Sequence, residues 1–497
     1  MKKWILFAAL LALAAGGAAC TEEENPSKIV VNGGESSLSL DALSRSGTLT
    51  VASTGPWRIT RAAGSGWIAC TPDSGEAGVT TVELALDANP GAARSTVVTF
   101  ATGDAIASLR IAQSGAQAGY DETDYNFYVT FGTLPTLYAG LYLLSADKPS
   151  WVFYGRSQTF DPAAFPACAT VLRAADPAAN ATDADIDRVA ADLRRRIREI
   201  DNSDPTATFG LYVDDLRCRI GYDWFVAQGI DPSRVKVSLL SDGTATYNNF
   251  YDYFGDPATA RENWERYAAE VEALDWDHGG RFPASRAGMA DLDSPTWAYA
   301  LATRPGYRLV LQDEALLVPR EGFLAEKIAQ METESVQPYA MLSALPQSAR
   351  QQFYRMAGFD YDRFAALFDR SDKKNLVVIG TSHSSAASEQ TQRDYVARIV
   401  ERYGAGYDIF FKPHPADTSS RSYETDFPGL TLLPGQMPFE IFVWSLLDKV
   451  DAIGGYPSTV YLTVPVDKVR FLFAADAASL VRPLDLLFRD AAHVEWM

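Results

Sequence analysis

Two runs decide how this chain folds: YDIFFKPHPAD (Tyr407–Asp417) and, after a spacer, MPFEIFVWSLLDKVDAIGGYPSTVYLTV (Met437–Val464). Asp408–Phe411 and Asp451–Gly455 are short apolar runs, each stopped by Pro or Gly, and predict buried strands. Phe439–Leu447 predicts a helix, with Pro438 as its start signal. The pattern is a strand–helix–strand unit of a parallel sheet. In such sheets ligands sit beyond the carboxyl ends of the strands. Polar residues fall at those ends: Lys412 and His414 after the first strand, Glu440 at the head of the helix, and Ser458 with Thr459 after the second strand.

These residue types suit a nucleotide. Lys and His can neutralise or donate to a phosphate. Ser458 and Thr459 open the run STVYLTV, read as a helix whose start offers N–H groups and two hydroxyls to an anion. Glu440 can accept from ribose hydroxyls, as acidic residues do in dinucleotide folds. Each has a plainer reading alone, since a His between prolines is usually a loop residue and Ser-Thr before a helix is usually a cap. Order and spacing together carry the inference.

KPHP (Lys412–Pro415), PFE (Pro438–Glu440) and the Ser458-Thr459 pair after a Gly-rich strand resemble the bacterial GT-B sialyltransferases of glycosyltransferase family 80. Those carry K-G-H-P, F-E and Ser-Ser in the same order, and transfer sialic acid from CMP-sialic acid to a sugar hydroxyl. DGTATY (Asp242–Tyr247) follows the strand run VKVSLL and resembles the segment bearing the family's catalytic Asp. Alone it would read as a simple turn. TLPTLYAGL (Thr133–Leu141) resembles the family's opening S-L-P-x-L. GTSHSSA (Gly380–Ala386) aligns with a segment ending G-T-T-T-W. Gly380 and Thr381 match, and Ser384 replaces the Trp that shapes the family's pocket, which leaves CMP-Kdo open as the donor.

The resemblance spans about Tyr125 to the C-terminus in four ordered motifs. It implies an inverting, metal-independent enzyme with no cofactor besides its CMP-sugar donor. Asp242 would be the general base on the acceptor. Lys412, His414, Ser458 and Thr459 would stabilise the leaving phosphate, with His414 also placed to donate a proton. Glu440 would fix the ribose, and Gly380 and Thr381 would line the donor side.

The expected fold is α/β: two Rossmann-like halves facing a cleft, 125–372 on the acceptor side and 373–497 on the CMP-sugar side. The strands Asn126–Phe131, Thr206–Asp214, Val235–Leu240 and Asn375–Gly380 alternate with the helices Leu134–Leu144, Asp185–Ile200, Thr259–Leu274 and Thr391–Arg402. Leu484–Met497 reads as a terminal helix. The triplets Asp275-Trp276-Asp277, Asp291-Leu292-Asp293 and Asp360-Tyr361-Asp362 follow no evident buried strand, so no metal is assigned to them.

Before this lies a different composition. Lys2 and Lys3 precede the apolar run Trp4–Ala15 and the small-residue stretch ending in Cys20, which fits a signal segment, residues 1–19, rather than a membrane span. GGAAC resembles a lipobox, implying lipidation of Cys20, a membrane anchor and an exported outer-membrane lipoprotein. The acidic TEEENP resembles a surface-export signal. Residues 27–117 alternate in short runs such as GTLTVAS and TTVELALD, the pattern of a small antiparallel immunoglobulin-like sandwich. Trp57, Trp67–Gly75, Asn89, Arg94 and Ile111–Gln113 resemble a BACON domain. Its tryptophans read as core or edge residues in preference to a sugar platform, and the module reads as a spacer. A polar linker, 118–124, follows.

With 497 residues the chain exceeds a single core, and its net charge of −19 argues against nucleic acid or anionic lipid as partner. Any phosphate must be held locally. Without Cys20 three cysteines remain, which implies no disulfide framework. The rival class is a non-catalytic glycan-binding surface lipoprotein.

Overall fold

The computed structural model describes residues 27–34, 37–40, 44–61, 66–87, 94–103, 105–113, 120–157, 159–176, 179–214, 222–272, 294–318 and 322–497. Cys20 with the signal segment, Asn89, Cys218 and the triplets at 275–277 and 291–293 lie outside them. The chain divides into Met1–Gln117 and Ala118–Met497.

The first unit contains β1 (Ile29–Val31), β2 (Ser37–Leu40), β3 (Ser46–Ser53), β4 (Trp57–Arg61), β5 (Ile68–Thr71), β6 (Ser74–Gly75), β7 (Gly78–Leu86), β8 (Arg94–Thr102) and β9 (Ala105–Gln113). They form sheets of order β1-β3-β7-β5 and β2-β9-β8-β4-β6, antiparallel except for the parallel pair β2–β9. Period-two patterning drives the burial: in β7, Val82, Leu84 and Leu86 are buried while the residues between them are exposed. Trp57 is a core residue beside Phe100, and Arg94 covers one face of Trp67 at 4.5 Å. Cys70 is buried.

The second unit starts with residues tied into the sheet. Tyr120 donates to Glu332, Arg308 pairs with Asp121 at 2.9 Å, and Tyr212 donates to the Tyr120 carbonyl. The stretch read as linker is therefore packed from Tyr120 onward. Then come β10 (Tyr125–Thr130), β11 (Ser150–Tyr154), β12 (Ala169–Val171), β13 (Phe209–Asp214), β14 (Val235–Leu240), β15 (Tyr307–Leu311) and β16 (Thr333–Ser335), all parallel in the order β12-β11-β10-β13-β14-β15-β16. β13, β14 and β15 are buried along their whole length, which requires helices on both faces.

A second parallel sheet follows, with β17 (Lys374–Ile379), β18 (Tyr407–Lys412), β19 (Leu430–Leu432), β20 (Ala452–Gly455), β21 (Val469–Leu472) and β22 (Glu495–Trp496) in the order β19-β18-β17-β20-β21-β22. Alternate residues serve two cores. Val377, Ile379, Phe410 and Ile453 join the large core that includes the first half. Leu376, Val378, Ile409 and Phe411 pack against Val396 and Ile399 on the opposite face.

In each half the chain builds outward from one strand, then crosses back to that strand's other side. The switch points lie between β10 and β13 and between β17 and β20, where ligands bind in such sheets.

Two further expectations fail. Of residues 484–497 only Leu484–Leu487 is helical, and Glu495–Trp496 adds an edge strand, with Glu495 held by Arg402 and Tyr403. No apolar helical period continues beyond Phe488. STVYLTV forms a 3-10 turn, Thr459–Thr463, in place of an α-helix. Its β-branched residues disfavour an α-helix and Pro465 ends it. In the third triplet, Asp360 caps the helix Tyr361–Phe368 by accepting from the Arg363 N–H.

Gly455 closes β20 at φ 120°, and a Cβ there would lie 2.3 Å from the Ile379 carbonyl oxygen. Gly455→Ala is expected to lower unfolding free energy by roughly 2 kcal/mol or more in denaturant melts. Gly406→Ala, which would touch nothing within 4 Å, should stay within about 0.5 kcal/mol of the parent. Equal losses would refute this account of the switch point.

Candidate active site

The first half offers two carboxylates at adjacent strand ends. Asp214 ends β13, is fully buried, and accepts from the Phe131 and Gly132 N–H groups at 3.0 and 2.7 Å. Those peptides lead from β10 into α1 (Thr133–Ala146). Asp242, partly exposed, lies two residues past β14. A Cβ on Gly132 would lie 2.3 Å from its Oδ1, so the Asp242 carboxylate rests on the backbone that Asp214 holds. The Asp242 N–H donates to Thr246 Oγ1 and the Gly243 N–H to Ser241 Oγ, which fastens the turn.

That turn leads through Gly243 into α2 (Thr244–Phe254) and meets the second half directly. Gly243 has φ 73°, ψ −130°, which favours glycine. A Cβ there would lie 2.0 Å from the Thr459 methyl. Beside this contact, Thr244 Oγ1 and Thr459 Oγ1 are hydrogen-bonded at 2.8 Å. Ser458, just before Thr459, caps the 3-10 turn by accepting from the Val460 N–H. Asp242, Ser458 and Thr459, far apart in sequence, thus share one locus.

After β18, His414 is exposed and its Nδ1 accepts the Ala416 N–H at 3.1 Å. This places the neutral ring's proton on Nε2. Partial burial, with Lys412 and His383 nearby, pushes its pKa below the usual value despite Asp417, so the ring is neutral at pH 7. Lys412 is buried, and its ammonium donates to the Pro413 and Gly435 carbonyls at 2.8 and 3.0 Å. It braces the His414 loop and feels the Glu440 charge. Burial pushes its pKa down to about 8, with Glu440 opposing.

Glu440 sits in the first turn of the helix Phe439–Leu446, its carboxyl raised by burial and lowered in part by Lys412. Its helix borders the first half: Trp444 lies 6.0 Å from Tyr138, and Phe442 lies 4.6 Å from Phe364.

The Gly380–Thr381 loop follows β17. Its Thr381 N–H donates to the buried Gln392 Oε1, and Gln392 Nε2 donates to Asp417 and to Tyr423. A Cβ on Gly380 would meet the Phe411 ring at 2.6 Å.

Sequence reading missed Asp214, Gln392, His383 and Asp417. Asp214 has a signal, an acidic residue closing an apolar strand run. Gln392 has none, since it sits inside an ordinary helical run. Two cavities, of about 300 and 520 Å³, are bordered by none of the expected site residues: one runs past Tyr142, Tyr212 and Glu334, the other past Arg370 and Lys373.

The Lys412 shift makes a pH prediction. Its folded-state pKa lies below the unfolded value, so burial penalises the protonated form. That penalty is complete below about pH 8 and is relieved as pH rises toward 10.5. The unfolding free energy of the parent, minus that of Lys412→Met, should therefore rise across this window in denaturant titrations. A flat difference would mean that the ammonium is not desolvated.

No family model matches the chain, and no curated protein matches it. Solved structures do. A sialyltransferase from Photobacterium damsela is 16% identical with a TM-score of 0.55, covering 93% of this chain and 99% of that one. The GT-B domain of a Photobacterium damselae sialyltransferase is 18% identical with a TM-score of 0.54, covering 75% of this chain and 100% of that one. A 2,6-sialyltransferase from Photobacterium sp. JT-ISH-224, in complex with CMP and lactose, is 16% identical with a TM-score of 0.54, covering 93% and 95%. This likeness shows the fold: the second unit has GT-B architecture, and a small β unit precedes it.

Proposed function

We propose that the chain is a glycosyltransferase, and specifically an inverting, metal-independent sialyltransferase that moves sialic acid from CMP-sialic acid to a glycan hydroxyl. The observation that carries this is the meeting of the Asp242 turn with Ser458 and Thr459, through the 2.8 Å contact between Thr244 and Thr459. It sets a carboxylate base from one half beside hydroxyl donors from the other. The fold shared with sialyltransferases, one of them holding CMP and lactose, supports the same reading.

In this reaction Asp242 accepts the proton of the acceptor hydroxyl as its oxygen attacks the anomeric carbon. The bond from that carbon to the CMP phosphate oxygen breaks through an oxocarbenium-like state. A single displacement inverts the anomeric centre. The departing phosphate gains charge, which His414 Nε2–H and the Ser458 and Thr459 hydroxyls stabilise. Lys412 places the His414 loop through its two carbonyl contacts and adds positive charge from behind. Glu440 accepts from the ribose hydroxyls, and Gly380 and Thr381 form the wall after β17. Release of CMP from CMP-sialic acid by the purified protein tests the reading. The same assay with CMP-Kdo tests the donor sugar, and inactivity with both would leave the glycan-binding reading.

Asp242 and His414 have separable roles. Asp242→Asn should lose about 10²–10⁴-fold in transfer while CMP binds nearly as before. His414→Ala should lose rate and also weaken CMP about tenfold to hundredfold, the cost of a hydrogen bond to a charged group. Titration calorimetry with CMP on both variants decides. CMP binding lost in Asp242→Asn and intact in His414→Ala would reverse the assignment.

The β-sandwich acts in this reading as a spacer behind a lipid anchor at Cys20. Every residue given a chemical role lies beyond Asn126. Removing residues 21–117 should leave turnover on a small soluble acceptor within a few-fold. Loss of turnover by a truncated protein that still melts cooperatively would show that the sandwich shapes the site.

A further inference from the structure

His383 lies on the loop after β17, at the switch point between β17 and β20, and carries none of the roles above. Its side chain is only 8% exposed, yet neither ring nitrogen has a hydrogen-bond partner. Unpartnered polar atoms are costly in a buried setting, and those that persist need a reason. The nearest charge is Asp417, whose side chain is 1% exposed, with Oδ2 4.0 Å from His383 Nε2. That separation exceeds hydrogen-bond reach, so neither nitrogen is committed and either can carry the proton.

Asp417 is itself well supplied. It accepts from the Ser419 N–H and hydroxyl and from Gln392 Nε2, at 2.8, 2.7 and 3.2 Å. It does not need the imidazole as a donor. The loop around His383 is held at both ends. Thr381 is tied to Gln392, and Ser385 caps the helix Ala386–Tyr403 through a reciprocal pair with Ser388. His383 is therefore a positioned side chain on a braced loop.

Its neighbours indicate what it awaits. His414 is near enough for His383 to contribute to holding the His414 pKa down. His414 presents a ring N–H, and the loop on the far side of the switch point presents the Ser458 and Thr459 hydroxyls. A ligand meeting this group encounters donors, so its matching group is an oxyanion.

We propose that His383 is a second imidazole contact to the phosphate of the nucleotide-sugar donor, giving a ring N–H to the phosphate alongside His414. This rests on the CMP-sugar reading of the site. The phosphate carries more charge in free CMP than in the sugar-bound diester, so a second donor favours the departing state over the bound substrate.

The test is titration calorimetry of the whole protein with CMP and with cytidine, comparing the parent, His383→Ala and His383→Gln. His383→Ala should bind CMP about tenfold to hundredfold more weakly, with cytidine unchanged. His383→Gln keeps an N–H donor and should recover part of the loss, which a merely structural role would not predict. Unchanged CMP affinity in His383→Ala, with the parent binding CMP normally, overturns the proposal and leaves the site reading intact. If CMP affinity holds and only KM for CMP-sialic acid rises, the contact is to the sugar carboxylate and the phosphate assignment fails. A parent that binds no CMP overturns the site reading and this inference together.

Discussion

The site depends on the absence of one side chain. Gly243 leaves the space in which the Thr459 methyl sits, 2.0 Å from where a Cβ would be. Only then can Thr244 and Thr459 share a hydrogen bond between the halves. Both residues belong to loops at strand carboxyl ends, so this contact aligns two parallel sheets by their functional edges. The aromatic contacts of Trp444 and Phe442 add area to the junction, but area alone would tolerate a slide. A buried backbone position that accepts no side chain does not, because close-packed interiors cannot absorb the overlap cheaply.

The second constraint is electrostatic. A chain with net charge −19 repels a nucleotide at long range, so binding requires local compensation. At the proposed site much of it would come from neutral donors. His414 is neutral at pH 7 with its proton on Nε2, and the hydroxyls carry no charge. The nearby ammonium, Lys412, is buried and occupied by two carbonyls. Donors fixed in advance favour charge as it develops without trapping a substrate already bound. In the proposed reaction that charge develops on the departing phosphate.

Most of this fold is legible in the sequence because fully buried parallel strands read as unbroken apolar runs. Val235–Leu240 has the bounds that its residues predict, and β17, β18 and β20 lie within a residue or two of theirs. The position of Asp242 is legible for the same reason, just past such a run at a strand's carboxyl end, while a role for it rests on the resemblance of DGTATY to the family's segment. Residues whose role depends on tertiary neighbours are not legible. Gln392 is one of several polar residues along a helix, and only the fold shows that it alone is fully buried, joining Thr381 to Asp417 and Tyr423. Lys412 stands where a phosphate ligand was expected, and the backbone of residues 413 and 435 takes two of its three N–H donors. The STVYLTV turn shows the limit of a start signal: Ser458 caps as expected, but the β-branched residues behind it do not sustain an α-helix.

Asp214 shows how the first half prepares its carboxylate. It stands fully buried at the switch point between β10 and β13, where a polar group needs partners. Two backbone N–H groups at the entry to α1 meet it, so the buried carboxyl has hydrogen-bond donors and the loop is immobilised. The next strand then delivers Asp242 onto that same loop, against Gly132. Any side chain on Gly132 would push Asp242 away, and loss of the Asp214 acceptor would free the peptides beneath it. One carboxylate is thus committed to the backbone so that the other, partly exposed, has a fixed surface to rest on. The arrangement mirrors the second half, where Lys412 is committed to carbonyls and His414 is left to face outward.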